Sequence, residues 1–213
     1  MINEKEVSYQ TTNTYSTLNE RTDKTENVWV VFHGIGYLSR YFLKYFRKLN
    51  HEKNYLIAPQ APSKYYLNGK YEHVGASWAT RENTETEIEN VLTFLDKVYE
   101  KEGLKNAKNL ILFGYSQGVS VVSRWVARRK LNPSQLIFHS GKIPAELQPE
   151  NLQHLKNCNT SFVYGTDDPF INEEIMKSEK ERLKMLFPEG LEFLPFDGGH
   201  EVNKDVILKL AGE

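Results

Sequence analysis

Short apolar runs alternating with amphipathic stretches constrain this chain more than any other feature of its sequence. The runs Val28–Phe32, Tyr55–Ala58, Asn109–Phe113, Leu136–His139, Ser161–Tyr164 and Glu192–Pro195 are rich in aliphatic and aromatic residues. Strands buried on both faces have that composition. Between them, Leu38, Phe42, Tyr45, Phe46 and Leu49 fall on one helical face, and so do Ile88, Val91, Leu92, Leu95, Val98 and Tyr99. Thr84 and Glu87 stand at capping-box spacing before the second group. Further helices are expected at Gln117–Lys130, stopping before Pro133, at Asn172–Leu186 and at Val202–Leu210, with a shorter one around Leu147, Leu152 and Leu155. In the first twenty residues, Val7, Tyr9 and Thr11, then Tyr15 and Thr17, alternate like two strands of a polar hairpin at a sheet edge. The whole predicts an α/β chain: a mostly parallel central sheet with helices on both faces.

Composition narrows the functions open to such a chain. Its 213 residues fit one domain spanning 1–213. Lys+Arg 27 against Asp+Glu 28 leaves no net field to collect nucleic acid or anionic lipid. The single cysteine, Cys158, excludes an internal disulfide and a cysteine-based zinc site, and it fits a reducing compartment. The opening MINEKEVSYQ has neither the basic nor the apolar region of a signal peptide. Apolar runs of about five residues are far short of the roughly 20 that span a bilayer. A cytoplasmic protein without integral membrane association, monomeric or homodimeric, is the expectation.

In parallel sheets of this kind active sites lie at the carboxyl ends of the strands. There the third strand runs through Gly114-Tyr115-Ser116-Gln117-Gly118 straight into a helix. A G-x-S-x-G pattern arises by chance in about one chain in fifteen to twenty. Between a buried strand and a helix it describes a sharp turn that lifts the serine clear of the sheet. Glycines flank it because a Cβ would collide where strand and helix nearly touch.

A serine hydroxyl needs a base to become a nucleophile. Of six histidines, His200 in Gly198-Gly199-His200 follows the last strand and precedes the last helix. His33 ends a strand in a glycine-rich setting that suggests loop-building, while His51, His73 and His154 lie in polar sequence and are expected to be solvated. The base in turn needs an acid to fix its tautomer. Gly165-Thr166-Asp167-Asp168-Pro169 follows the strand before His200 and offers Asp168, with Asp167 and Asp197 as alternatives. Pro169 fixes the turn after Asp168, which favours it. The order Ser116, Asp168, His200 is nucleophile, acid, base. A developing oxyanion would be met by the Gln117 amide and by the Ile35 amide in His33-Gly34-Ile35-Gly36.

On these segments the chain resembles the phospholipase/carboxylesterase branch of the α/β-hydrolases, which includes acyl-protein thioesterases. Phe32-His33-Gly34-Ile35-Gly36, Ala58-Pro59-Gln60-Ala61-Pro62, Gly114 to Gly118, Ser140-Gly141-Lys142-Ile143-Pro144, Gly165 to Pro169 and Gly199-His200 occur in the family's order across residues 28–208. The resemblance implies an α/β-hydrolase fold, and 213 residues leave little room for a large lid domain. It also implies Ser116, Asp168 and His200 as catalytic residues, Ile35 and Gln117 amides as the oxyanion hole, no metal and no organic cofactor. The chain departs from the family at Tyr37, where an acidic residue is common, at Val119 in place of a glycine, and at Tyr164 in place of a histidine.

Specificity is expected from Gln60–Thr80, where Tyr65, Tyr66, Tyr71 and Trp78 lie. Tyr37 and Trp78 are expected to line the substrate pocket, Trp78 as a wall of the acyl site, although these aromatics would equally pack the loop onto the domain. Arg128, Arg129 and Lys130 suit the C-terminal end of a helix. The leading reading is a serine hydrolase acting on a small ester or acyl substrate. The same triad would also serve a peptidase or protein thioesterase, and a catalytically silent binding domain stays open.

Overall fold

Strand β2 (Asn27–Phe32) shows how the sequence makes two hydrophobic layers. Its side chains alternate between faces, so Val28, Val30 and Phe32 enter one buried cluster and Trp29 and Val31 the other. The computed structural model describes residues 1–171, 173–188 and 190–213, without the side chains of 173 and 174.

Eight further strands are β1 (Tyr15–Leu18), β3 (Asn54–Pro59), β4 (Ser63–Tyr66), β5 (Val74–Ser77), β6 (Asn109–Tyr115), β7 (Gln135–His139), β8 (Asn159–Gly165) and β9 (Glu192–Phe196). The helices are α1 (Ser39–Phe42), α2 (Thr84–Lys101), α3 (Gln117–Arg129), α4 (Pro149–Leu152), α5 (Glu173–Leu186) and α6 (Lys204–Ala211). Seven strands form one sheet in the order β1-β3-β2-β6-β7-β8-β9, parallel throughout except for β1. Ile88, Val91 and Leu92 of α2, Val122 and Trp125 of α3 and Leu183 of α5 cover one face. Phe42 of α1, Phe46, Leu49 and Ile207 of α6 cover the other. The chain passes outward from β2 to β3 and then returns across to β6. The carboxyl ends of β2 and β6 therefore flank the point where the winding reverses, the place where such sheets build sites.

All three tryptophans are fully buried, and each indole N–H has an acceptor: Asn54 Oδ1 for Trp29, the His33 carbonyl for Trp78 and Asp96 Oδ1 for Trp125. The basic run lies against α2, where Arg128 pairs with Glu85 and Arg129 with Glu89 and Asp96.

Several local expectations are corrected. No N-terminal hairpin forms: residues 1–14 hold no strand, and β1 instead pairs antiparallel with β3, Tyr15 opposite Pro59. The predicted capping box is absent, because Glu87 turns to the amide and hydroxyl of Thr80, and Asn83 precedes the helix in a left-handed conformation. The amphipathic stretch after β2 makes one turn of α-helix followed by a 3-10 turn, Leu43–Phe46. The predicted start of the fifth helix, Asn172, lies outside the described residues. The aromatic loop folds as a hairpin, β4 against β5, with Tyr66 opposite Val74. Among the described residues no larger insertion rises from the sheet.

Candidate active site

Ser116 stands between β6 and α3 with φ 52° and ψ −116°, a backbone conformation that costs a non-glycine residue about 1–3 kcal/mol. Close packing holds it there. A Cβ at Gly118 would lie 2.2 Å from the Phe32 carbonyl oxygen, and one at Gly114 would lie 2.8 Å from the Gly118 backbone. Strands β2 and β6 and helix α3 thus meet backbone to backbone beneath the serine. The Ser116 amide donates to the His139 carbonyl at 2.9 Å, tying the turn to β7.

The loops after β8 and β9 bring Asp168 and His200 to this turn. His200 Nδ1 donates to Asp168 Oδ2 at 2.7 Å, and His200 Nε2 lies 3.0 Å from Ser116 Oγ. Because a carboxylate only accepts, Nδ1 carries the ring proton and the Nε2 lone pair faces the serine hydroxyl. The Asp168 side chain has no exposed surface, and its second oxygen accepts the Phe170 amide at 2.9 Å. Asp167 and Asp197 are exposed, and neither carboxylate reaches His200. The Tyr115 hydroxyl donates to the His200 carbonyl at 2.9 Å. The Phe170 ring meets the imidazole edge-on at 4.9 Å between centroids.

On the other side of Ser116 lies the loop after β2. The Gly36 amide donates to Ala76 and the Tyr37 amide to Gly34. Among the described residues the Ile35 amide just before them has no such acceptor, and the Gln117 amide, first in α3, lies outside the helix's own ladder. His33 secures this loop from beneath. Its Nδ1 donates to the Gly34 carbonyl at 2.8 Å, and its Nε2 accepts from the Ala61 amide at 3.2 Å. Burial pushes its pKa down to about 4, which keeps the ring neutral. The Gln117 side chain reaches over to the β5 segment, accepting from the Trp78 amide and donating to the Ala79 carbonyl.

A cavity of about 560 Å³ opens over Ser116 and His200. Ile35, Tyr37, Phe170 and Ile171 line it, as does Lys142. Tyr37 is held by a 3.2 Å contact between its hydroxyl and that of Tyr45. Trp78 does not border this cavity. It is fully buried, packs on His33 and Phe32, and borders a neighbouring hollow of about 260 Å³ that shares Gln117 and Ser120 with the cavity.

Two histidines take places that sequence reasoning missed. His139, read only as the end of a strand, is fully buried beside Tyr115. Its Nε2 accepts from the Asn203 amide at 3.1 Å and its Nδ1 donates to Ser140 Oγ at 3.0 Å. Burial lowers its pKa to about 3. His154, expected to be solvated, is half-buried and bonds the Leu131 carbonyl. His51 and His73 are exposed. Burial raises the Cys158 thiol to about 11, so it carries little thiolate near neutrality. Among the described residues no group of three or more His, Cys, Asp or Glu could hold a metal, and no helix is long and apolar enough to cross a membrane.

With this geometry in hand, comparison with known proteins is direct. The model of a family described as phospholipase/carboxylesterase matches residues 13–211. The fold is similar to acyl-protein thioesterase 2 of Zea mays, with a TM-score of 0.71 and 15% identity over 94% of this chain and 98% of that one. It is also similar to a phospholipase/carboxylesterase of Dyadobacter fermentans, with a TM-score of 0.66 and 16% identity over 96% and 97%. For esterase PE8 the TM-score is 0.65 at 20% identity over 94% and 96%. No curated protein matches in sequence.

Proposed function

The chain belongs to the phospholipase/carboxylesterase family of hydrolases, and from that premise we propose that it is a serine hydrolase cleaving carboxylic ester or thioester bonds through an acyl-enzyme. We read the whole chain as one catalytic domain. The observation that carries the reading is the line Asp168–His200–Ser116, joined at 2.7 and 3.0 Å on the floor of an open cavity.

Each group then has one task. As Ser116 Oγ forms a bond to the acyl carbon, its proton passes to His200 Nε2. The carbonyl π-electrons move onto oxygen, where the Ile35 and Gln117 amides donate to the developing negative charge. Asp168 stays ionised and steadies the imidazolium. When the tetrahedral adduct collapses, the bond to the leaving oxygen or sulfur breaks and His200 returns the proton to it. The acyl group remains on Ser116. A water deprotonated by the same nitrogen then repeats the sequence and frees the acid and the serine.

Hydrolysis of 4-nitrophenyl acetate, butyrate, octanoate and palmitate tests the proposal, with Ser116→Ala as control and a fluorophosphonate as active-site label. Turnover in the wild type, its fall by about a thousandfold or more in the variant, and label on Ser116 are expected. Activity retained in Ser116→Ala would place the nucleophile elsewhere. Neither turnover of any ester nor labelling would leave a binding domain.

A further inference from the structure

The fixed charges that line the cavity and its adjoining hollow are all of one sign. The cavity over Ser116 is lined by a single fixed charge, Lys142, besides His200. The adjoining hollow is lined by Arg81 and Arg124 and by no carboxylate. Arg124 is already paired with Glu146. Among the described residues Lys142 and Arg81 form neither an ion pair nor a side-chain hydrogen bond. Asp168, the nearest acid of the site, has no exposed surface behind His200. In a chain whose net charge is -1, a lining that holds lysine and arginine but no aspartate or glutamate is not what overall composition would place there.

The base of Lys142 is also well anchored. It follows Ser140, whose φ is 48° and whose amide donates to the Val163 carbonyl at 2.8 Å. Gly141, Ile143 and Pro144 around it are buried while Lys142 itself is exposed. From α5, Arg182 donates to the Ile143 carbonyl at 3.0 Å and to the Pro144 carbonyl at 2.6 Å. A lysine on a pinned backbone therefore borders the cavity beside Ile35, Phe170 and Ile171 while staying exposed, and its ammonium has no carboxylate partner among the described residues.

We infer that the preferred substrate is an ester or thioester carrying a fixed negative charge, a carboxylate or phosphate away from the reacting carbonyl, and that Lys142 is the residue that selects it. This rests on the hydrolase reading above and adds the substrate class. The shared chemistry is an anionic group held by an uncommitted ammonium, on either the acyl or the alcohol half of the ester.

Matched ester pairs distinguish the halves. For the acyl half the pair is 4-nitrophenyl hydrogen adipate and 4-nitrophenyl methyl adipate, in which the remote carboxyl is ionised in the first and capped by a methyl group in the second. For the alcohol half it is 4-acetoxybenzoate and its methyl ester. In at least one pair the wild type should favour the anion in kcat/KM by about two- to fivefold, the range of one solvent-accessible ion pair, with the preference shrinking as sodium chloride is added. Lys142→Gln should bring that ratio close to one, Lys142→Glu should invert it, and Lys142→Arg should keep most of it. Both members of a pair are measured on one preparation, so any misfolded fraction cancels from the ratio. Ratios the same in wild type and Lys142→Gln for both pairs would overturn the inference and leave the esterase reading standing if 4-nitrophenyl acetate still turns over. Failure of every ester, with no fluorophosphonate label, would overturn both.

Discussion

The hydroxyl of Tyr115 donates to the carbonyl of His200 at 2.9 Å, so the residue before Ser116 holds the loop that carries the imidazole facing it. The end of β6 and the loop after β9, separated by two strands in the sheet, are thereby fixed relative to each other. Tyr115→Phe keeps the ring packing against Phe42 and His139 and removes only this bond. A net hydrogen bond is worth about 1 kcal/mol, so kcat should fall roughly three- to tenfold with KM little changed. Steady-state kinetics on 4-nitrophenyl butyrate checks this, and a change confined to KM would assign Tyr115 to substrate binding instead.

Adjacent aspartates should differ sharply. Asp168 is enclosed and bonded to His200 Nδ1, whereas Asp167 is exposed and its backbone amide alone bonds the His200 loop. Asp168→Asn would present an amide to Nδ1 and favour the wrong tautomer, at a cost of about a thousandfold or more in kcat. Asp167→Asn should cost less than about threefold, since no described contact of its carboxylate is lost. Side-by-side kcat values decide the matter, and the opposite ranking would transfer the acid role to Asp167.

Much of this was legible in the chain because the relevant signals are local. A buried strand, a glycine on each side of Ser116 and a following helix lie in one unbroken stretch, residues 109–129. The strand ends carrying Asp168 and His200 each announce themselves by a turn. What was not legible depends on partners distant in sequence. The acceptor role of His139 comes from Asn203, 64 residues on, and nothing around His139 hints at it. Alternation among exposed residues before Tyr15 names no partner strand, so a hairpin was as consistent with it as the observed pairing to β3. Trp78 sat in an aromatic loop that suggested a substrate wall. Its indole N–H found the His33 carbonyl, and that bond draws the ring under the loop and away from the cavity.

Gln117 touches the cavity and the 77–79 segment at once. Its backbone amide stands at the start of α3 facing the cavity, while its side chain bonds the Ser77 hydroxyl, the Trp78 amide and the Ala79 carbonyl. Gln117→Ala keeps the amide and frees the 77–79 segment. Loss of these bonds should lower stability by about 1–3 kcal/mol and, at about 2–4 °C for each kcal/mol in a domain of this size, lower Tm by several degrees. Serine reactivity should survive, read as the rate of fluorophosphonate labelling. A Tm within one degree of wild type would mean that the segment is held by packing alone.

Two buried imidazoles make the fold sensitive to acid. His33 and His139 have pKa values lowered to about 4 and about 3, chiefly by burial, and both already use Nε2 as an acceptor. In the unfolded chain the same rings protonate near 6.5. Between those values the unfolded state binds more protons, so stability rises with pH there. The neutral-ring contribution is fully present above about pH 6.5 and is lost as pH falls toward the folded values, at about 1.4 kcal/mol per pH unit for each ring. Other groups titrate in the same window, so the informative quantity is the difference between wild type and His139→Gln, in which the glutamine carbonyl is an acceptor for the Asn203 amide. The variant should be less stable at pH 7.5, and the gap should narrow by about 2–3 kcal/mol by pH 4.5, because it no longer loses stability through that ring. Urea unfolding at both pH values measures it. A gap that stays constant would show that His139 is protonated in the folded protein as readily as in the unfolded one.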